Sequence, residues 1–281
     1  MRGLPDYHVH TFRCGHAGGE SRDFVLRALE LGLSEIGFTD HIPLYFLPPE
    51  DRDPRLAMAE GQFPDYLAEV EALRKEFAGR IVVRLGLEAD YAEGFEDVLR
   101  RWLGRADWDF VLGSVHWVAG DWIDAPGSAG RFEKEGTEAL YREYYRLLAR
   151  AARTGLFDVL SHFDLPKKHG HRPAAPVVEV EQGAIIAAAE SGCAVEISSA
   201  GLRKPVGELY PEPRLLDRIH AAGIPVTFSS DAHAPAEVGW GYDQTVAEAL
   251  ARGVTEFVTI EKRRKIAHPL RAPGAPADSE P

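Results

Sequence analysis

Histidine and acidic residues fall in this sequence at spacings that suit metal ions. The run DYHVHTFRCGHAGGE, residues 6–20, holds His8, His10 and His16, with Cys14 among them. Further along, TDH adds His41, GLE adds Glu88, SVH adds His116, SHFD adds His162, and SDAH adds Asp231 and His233. A lone histidine at the end of an apolar run is more often structural than a ligand. Here, however, seven of the 11 histidines fall at these positions, which a random scatter rarely gives. Side chains at i and i+2 of a strand share a face, so His8 and His10 can chelate one ion, and Asp231 with His233 can do the same. Nine candidate ligands exceed the roughly four protein ligands that one zinc-like ion takes, so the pattern predicts two or three ions. A carboxylate has two oxygens and can bridge neighbouring ions, which makes Glu88 or Asp231 the natural bridge. Imidazole with carboxylate suits zinc, iron or manganese better than calcium or magnesium. Grouped cations of this kind lower the pKa of a bridging water towards neutrality, giving hydroxide at working pH. Cys14 is not needed to complete the ligand set, and Cys193 opens a buried-looking strand, so both read as packing residues.

Strand-like apolar runs alternate with amphipathic helix-like runs along most of the chain, the pattern of βα units around a parallel sheet. The strand candidates are 6–10, 35–40, 80–88, 109–116, 157–162, 194–199 and 225–231, with EFVTI at 256–260 as a candidate eighth. Each ligand type falls at or just after the end of one of these runs, so all of them are expected at one end of a barrel. Ser21 can cap a helix that stops at Gly32, Pro64 can begin one that runs to Gly79, and 137–155 and 177–192 read as two more. The segments 42–62, 119–136 and 163–175 are long, rich in Pro, Gly and charge, and follow strands, where a barrel keeps its function.

Composition narrows the class. With 281 residues, 45% hydrophobic and 27% charged, the chain matches an ordinary globular protein. No apolar run approaches the roughly 20 residues that span a bilayer. The start MRGLPDYHVH has no apolar signal-peptide core, and two cysteines argue against a disulfide framework, so a cytoplasmic protein is expected. A net charge of -12 argues against a nucleic-acid partner, whose binding faces are usually basic. The basic run EKRRK at 261–265 reads as a solvated helix face, and the Pro- and Ala-rich tail at 272–281 as disordered.

Together HVH, TDH, the glutamate of GLE, SVH, SHFD and SDAH resemble the PHP (polymerase and histidinol phosphatase) superfamily over nearly the whole chain. The resemblance implies an α/β fold, a distorted (β/α)7 barrel forming a single domain across 1–271, and three divalent transition-metal ions. It implies a first site of His8, His10, Glu88 and Asp231, a second of Glu88, His116 and His162, and a third of His16, His41 and His233, with Glu88 as the bridge. FRCGHAGG at 12–19 and SSAGLRKPVGELYP at 198–211 are similar to the histidinol-phosphatase branch. That branch implies hydrolysis of L-histidinol phosphate to L-histidinol and phosphate in histidine biosynthesis, by attack of a metal-bridging hydroxide. Phosphate monoesters are among the slowest bonds to break unaided, needing accelerations up to roughly 10²¹-fold, and clustered cations meet that need.

Glu88, Asp231 and His233 are then the expected catalytic groups. The branch places an arginine for phosphate after HFDL, whereas this chain has PKK, so Lys167 or Lys168 is expected to supply a point charge there. Arg203, in AGLRKP, is expected over the same mouth as a second phosphate contact. Asp40, beside His41, is expected to orient an imidazole, with a ligand role of its own as the alternative. Tyr45, Trp117, Trp122 and His171, on the long loops, are candidates to hold the imidazole of the substrate. The alternative is another PHP-type phosphoesterase or an exonuclease, which would want a basic groove that the net charge does not favour. A barrel that had lost catalysis should have lost ligands, and none of the nine is missing.

Overall fold

The computed structural model describes residues 3–125 and 127–272. The first unit sets the pattern. Strand β1 (Pro5–Val9) leads to helix α1 (Ser21–Leu31), which turns at Gly32 and feeds β2 (Glu35–Phe38) parallel to β1. Gly32 sits at φ 71°, a left-handed conformation that costs glycine nothing, and its N–H satisfies carbonyls of the last helical turn. Ser21 is the first helical residue rather than the cap, a position that Glu20 takes with no side-chain hydrogen bond.

Helix α2 (Phe63–Glu76), with proline in its first turn, precedes β3 (Val82–Leu85) and β4 (Glu88–Asp90). These two are one strand position with a break at Gly86. A Cβ at Gly86 would lie 2.6 Å from the Phe110 ring and 2.7 Å from Thr39 Cγ2, so only glycine fits. Then come α3 (Glu96–Leu103), β5 (Leu112–Ser114), the small hairpin β6 (Trp117–Val118) and β7 (Asp121–Trp122), the short turn α4 (Ala129–Arg131) and α5 (Thr137–Arg153). The chain continues through β8 (Val159–Leu160), α6 (Val178–Ser191), β9 (Ala194–Ser198), α7 (Pro213–Ala221), β10 (Val226–Ser229) and α8 (Tyr242–Ala251).

The parallel strands form two sheets, ordered β1-β2-β3 and β10-β9-β8-β5-β4. The sheets meet at both edges: Val9 bridges Ala232 beyond β10, and His41 beyond β2 bridges Glu88 at the start of β4. Seven strand positions thus enclose the centre, a distorted barrel with helices outside. One cluster of buried apolar side chains runs from Leu4 to Leu270.

The candidate eighth strand is not part of the barrel. Residues 256–260 lie in β11 (Glu256–Glu261), which folds back antiparallel onto β12 (Arg264–Pro269). Lys262 and Arg263 between them have φ 48° and 65°, the two positive angles of a tight hairpin turn, so EKRRK is that turn and not a helix face. The hairpin closes one end of the barrel: Val258 and Ile260 pack with Tyr7, Phe110, Leu112, Val159 and Ala194, and the Ile260 N–H donates to the Tyr7 hydroxyl at 3.0 Å. The opposite end is left for the ligand-type residues. Among the described residues no helix is long and apolar enough to cross a membrane. Of the 272–281 tail, residues 273–281 lie outside the described residues.

Candidate metal centre

Strands stop sooner than the apolar runs suggest, and most ligand-type residues occupy the stretches just beyond, whereas His8 lies within β1 and Glu88 opens β4. Glu88 lies at the middle. Its Oε2 is 2.9 Å from His41 Nδ1, 3.1 Å from His8 Nε2 and 3.4 Å from His10 Nε2. Its Oε1 is 3.0 Å from His162 Nε2 and 3.6 Å from His116 Nε2, and accepts from Ser114 Oγ at 2.7 Å. Asp231 stands opposite, with Oδ1 3.2 Å from His10 Nε2 and 3.7 Å from His8 Nε2. Outermost are His233 and His16, whose Nε2 atoms lie 2.9 Å apart. All nine candidate residues therefore gather at the open end of the barrel. Within them, His8–His10–Glu88, His41–Glu88–His116 and His16–His41–His233 are each close enough to share an ion.

The donors fit cations. His8 Nε2, both ring nitrogens of His10 and Glu88 Oε2 are buried and make no hydrogen bond, although His8 and Glu88 approach to 3.1 Å. Lone pairs facing one another at that range need a positive charge between them, either a proton or a metal ion. Titration behaviour carries the same tension. Burial opposes charge on Glu88, but His41, His8 and His116 hold its carboxyl well below the usual range. Burial also opposes charge on His8, and Glu88, Glu196 and Asp231 outweigh it, so its pKa lies well above the ordinary value. Burial with His233 and His41 pushes His10 well below it, and burial takes His233 down to about 4.

A surrounding layer fixes the rings. Glu196 Oε2 accepts from His8 Nδ1 at 3.0 Å, and Asp90 Oδ1 from His116 Nδ1 at 2.6 Å. Each leaves Nε2 turned towards Glu88, the arrangement that orients a ligand imidazole. Both carboxylates are buried, and neither stands out in the sequence: Glu196 lies inside a strand with no ligand at its end, and Asp90 merely follows Glu88 by two. Asp40 does not orient an imidazole. Its oxygens accept from Thr11 N–H and Thr11 Oγ at 2.6 and 2.5 Å and so fix the turn after His10. Cys14 is buried, and burial pushes its thiol up to about 12.

The cluster forms the floor of a cavity of about 1040 Å³ walled by the three long loops. Of the two lysines, Lys168 lines it, with Nζ donating to Asp124 Oδ2 at 2.8 Å. Lys167 does not. It is buried, with Nζ 2.8 Å from Asp164 Oδ2 and donating to the Leu209 carbonyl at 2.6 Å, so its charge is satisfied inside the protein. Arg203 also differs from expectation. It is not among the lining residues, and its Nη2 donates to the carbonyls of Ser230 and Asp231 at 2.8 and 3.1 Å. Asp231 has φ 50°, an angle uncommon outside glycine, and the Arg203 guanidinium holds that turn from behind. Lys204, its neighbour, does line the cavity. Among the aromatic candidates Trp122 lines the cavity, whereas the Tyr45 hydroxyl donates to the Asp90 carbonyl, Trp117 packs on Phe46 and Trp122, and His171 stacks on Phe132.

A parallel α/β barrel with imidazoles and carboxylates converging at the C-terminal ends of its strands is the architecture of a metal-dependent hydrolase. More particularly, a family model described as PHP domain matches residues 6–200, and the chain belongs to that family. A Deinococcus radiodurans protein named "Probable histidinol-phosphatase" is 45% identical over 88% of this chain and 93% of its own length. The Bacillus subtilis histidinol-phosphatase is 31% identical over 85% of this chain and 96% of its own. The crystal structure of histidinol phosphate phosphatase from Lactococcus lactis, complexed with zinc, L-histidinol and phosphate, has the same fold: TM-score 0.77, covering 95% of this chain and 100% of that one at 22% identity.

Proposed function

We propose that the chain is a metal-dependent phosphatase that hydrolyses L-histidinol phosphate to L-histidinol and phosphate in histidine biosynthesis. The observation that carries this reading is Glu88, a buried carboxylate with imidazole nitrogens converging on both oxygens at the floor of an open cavity. The relatives of this length and similarity that bear the name histidinol-phosphatase supply the substrate.

In this reading three divalent ions, zinc, iron or manganese, are held by His8, His10, Glu88 and Asp231; by Glu88, His116 and His162; and by His16, His41 and His233. Bound there, they would supply an activated water and neutralise phosphoryl charge. The remaining steps belong to the chain. Glu196 and Asp90 hold His8 and His116 in the tautomer that presents Nε2. Lys168 and Lys204 offer ammonium groups to the phosphate from the cavity wall. Asp231 and His233, which also line the cavity, join Glu88 as the catalytic groups, and one of these two or a bound water would supply the proton of the leaving oxygen. Trp122, on the same wall, gives the substrate's imidazole an aromatic face.

The test is a substrate panel: phosphate release from L-histidinol phosphate, from other phosphomonoesters and from short single-stranded oligonucleotides. A kcat/KM for histidinol phosphate far above the rest supports the proposal. Preference for another ester or for oligonucleotide ends would replace it with a different phosphoesterase.

A further inference from the structure

Tyr210 combines three properties that no role assigned above uses. It is 2% exposed, its hydroxyl makes no hydrogen bond, and it lines the cavity. Among the described residues, Glu88 is the one other cavity-lining side chain with a buried polar atom left unpartnered. Burying an unpaired hydroxyl is costly, so a partner that arrives with a ligand is the economical reading.

The position of the ring is tightly fixed. Ser198 N–H donates to the Tyr210 carbonyl at 2.7 Å and Tyr210 N–H to the Ser198 carbonyl at 3.0 Å, which tethers the residue to the end of β9. A Cβ at Gly201 would lie 2.0 Å from the Glu208 carbonyl oxygen and 3.1 Å from Tyr210 Cε2, so the glycine of AGLRKP is required by the passing backbone and also leaves the ring its place. The Tyr210 ring centroid is 6.4 Å from the His162 ring, and Lys168 lines the same cavity. Lys167 Nζ lies 5.2 Å from the Tyr210 centroid, a cation–ring contact that adds to the hold on the ring.

We infer that the Tyr210 hydroxyl is a substrate-contacting hydrogen-bond donor that holds a phosphoryl oxygen of the bound monoester beside His162. The inference rests on the phosphomonoesterase reading and adds a residue to it. No bond is made or broken by the tyrosine, which keeps its proton and stabilises negative charge on the oxygen as phosphoryl transfer proceeds.

Tyr210→Phe removes the hydroxyl and little else. The experiment uses the metal-loaded full chain and measures three quantities on the same samples: metal content, the Kd of inorganic phosphate by calorimetry, and kcat/KM on the best ester. Expected are unchanged metal content, a phosphate Kd about 10-fold weaker and a kcat/KM about 10- to 100-fold lower, the range for one hydrogen bond to a charged group. Unchanged phosphate affinity with unchanged kcat/KM would overturn the inference. So would a loss that follows missing metal, since Tyr210 would then act only by supporting His162. The phosphate arm does not depend on which ester is hydrolysed, so failure of the substrate assignment and failure of the Tyr210 inference give different results.

Discussion

Replacing Glu88 by glutamine is the most demanding single perturbation of the proposed centre. The substitution keeps shape and leaves one side-chain oxygen able to accept from Ser114 Oγ at 2.7 Å and to face His162 Nε2 at 3.0 Å, as in the wild type. It removes the negative charge and turns an amide towards His41, His8 and His10, whose nitrogens lie 2.9, 3.1 and 3.4 Å from Oε2. Disturbing a carboxylate that merely orients one metal-bound histidine typically costs 10- to 100-fold in metal affinity. Glu88 itself meets five imidazoles, so its loss must exceed about 100-fold, or about 2.8 kcal/mol of binding. After dialysis against a metal-free buffer, elemental analysis should find the variant depleted relative to wild type, and phosphate release should fall in step. Circular dichroism and Tm, measured alongside, separate this from unfolding. Full metal content with full turnover in a folded Glu88→Gln protein would refute the placement of the bridge.

Other variants test neighbouring parts of the reasoning. Lys168→Met should raise KM for the phosphate ester about 10-fold and cost about 1 kcal/mol of stability through Asp124, whereas Lys167→Met should cost about 3 kcal/mol in denaturant unfolding by stranding the more deeply buried Asp164, with KM nearly unchanged. The reverse pattern would exchange their roles. Glu196→Gln weakens the acceptor for His8 Nδ1 and should lower metal affinity about 10- to 100-fold, read by competition with a chelator; unaltered affinity would remove Glu196 from the supporting layer. Asp124 makes a pH-dependent contribution. Burial opposes its charge, but Lys168 and His116 outweigh burial and hold its carboxyl below the usual range. A depressed folded pKa stabilises the fold above the unfolded value, near 4, and the contribution disappears as pH falls through the folded value. Asp124→Asn should therefore be about 1–3 kcal/mol less stable at neutral pH, with the difference shrinking in acid. A gap independent of pH would contradict the charge assignment.

The nine ligand-type residues were legible because their signal is local: HxH and DxH put two donors on one stretch, and each ligand type follows an apolar run whose end can be read. The seven parallel strand positions were legible for the same reason. Glu196 was not, because its significance depends on the barrel assembly: from mid-β9 its carboxylate reaches the His162 backbone N–H beyond neighbouring β8 and, across the barrel, the His8 ring on β1. Lys167 and Lys168 are adjacent and chemically alike; the short 3-10 turn Leu165–His169 decides which one faces the cavity and which is buried. Arg203 sits on the expected loop, but its guanidinium is captured by the carbonyls of the Asp231 turn, a contact between segments 27 and 28 residues apart. EFVTI has the composition of a barrel strand, and only the positive φ values at Lys262 and Arg263 turn it into a hairpin.

The most direct test of the account is metal removal and titrated re-addition on one protein sample, following phosphate release from L-histidinol phosphate alongside elemental analysis. The account predicts negligible turnover in the stripped protein and recovery that rises with bound zinc, iron or manganese to about three ions per chain. Undiminished turnover in protein shown to be free of metal would contradict it.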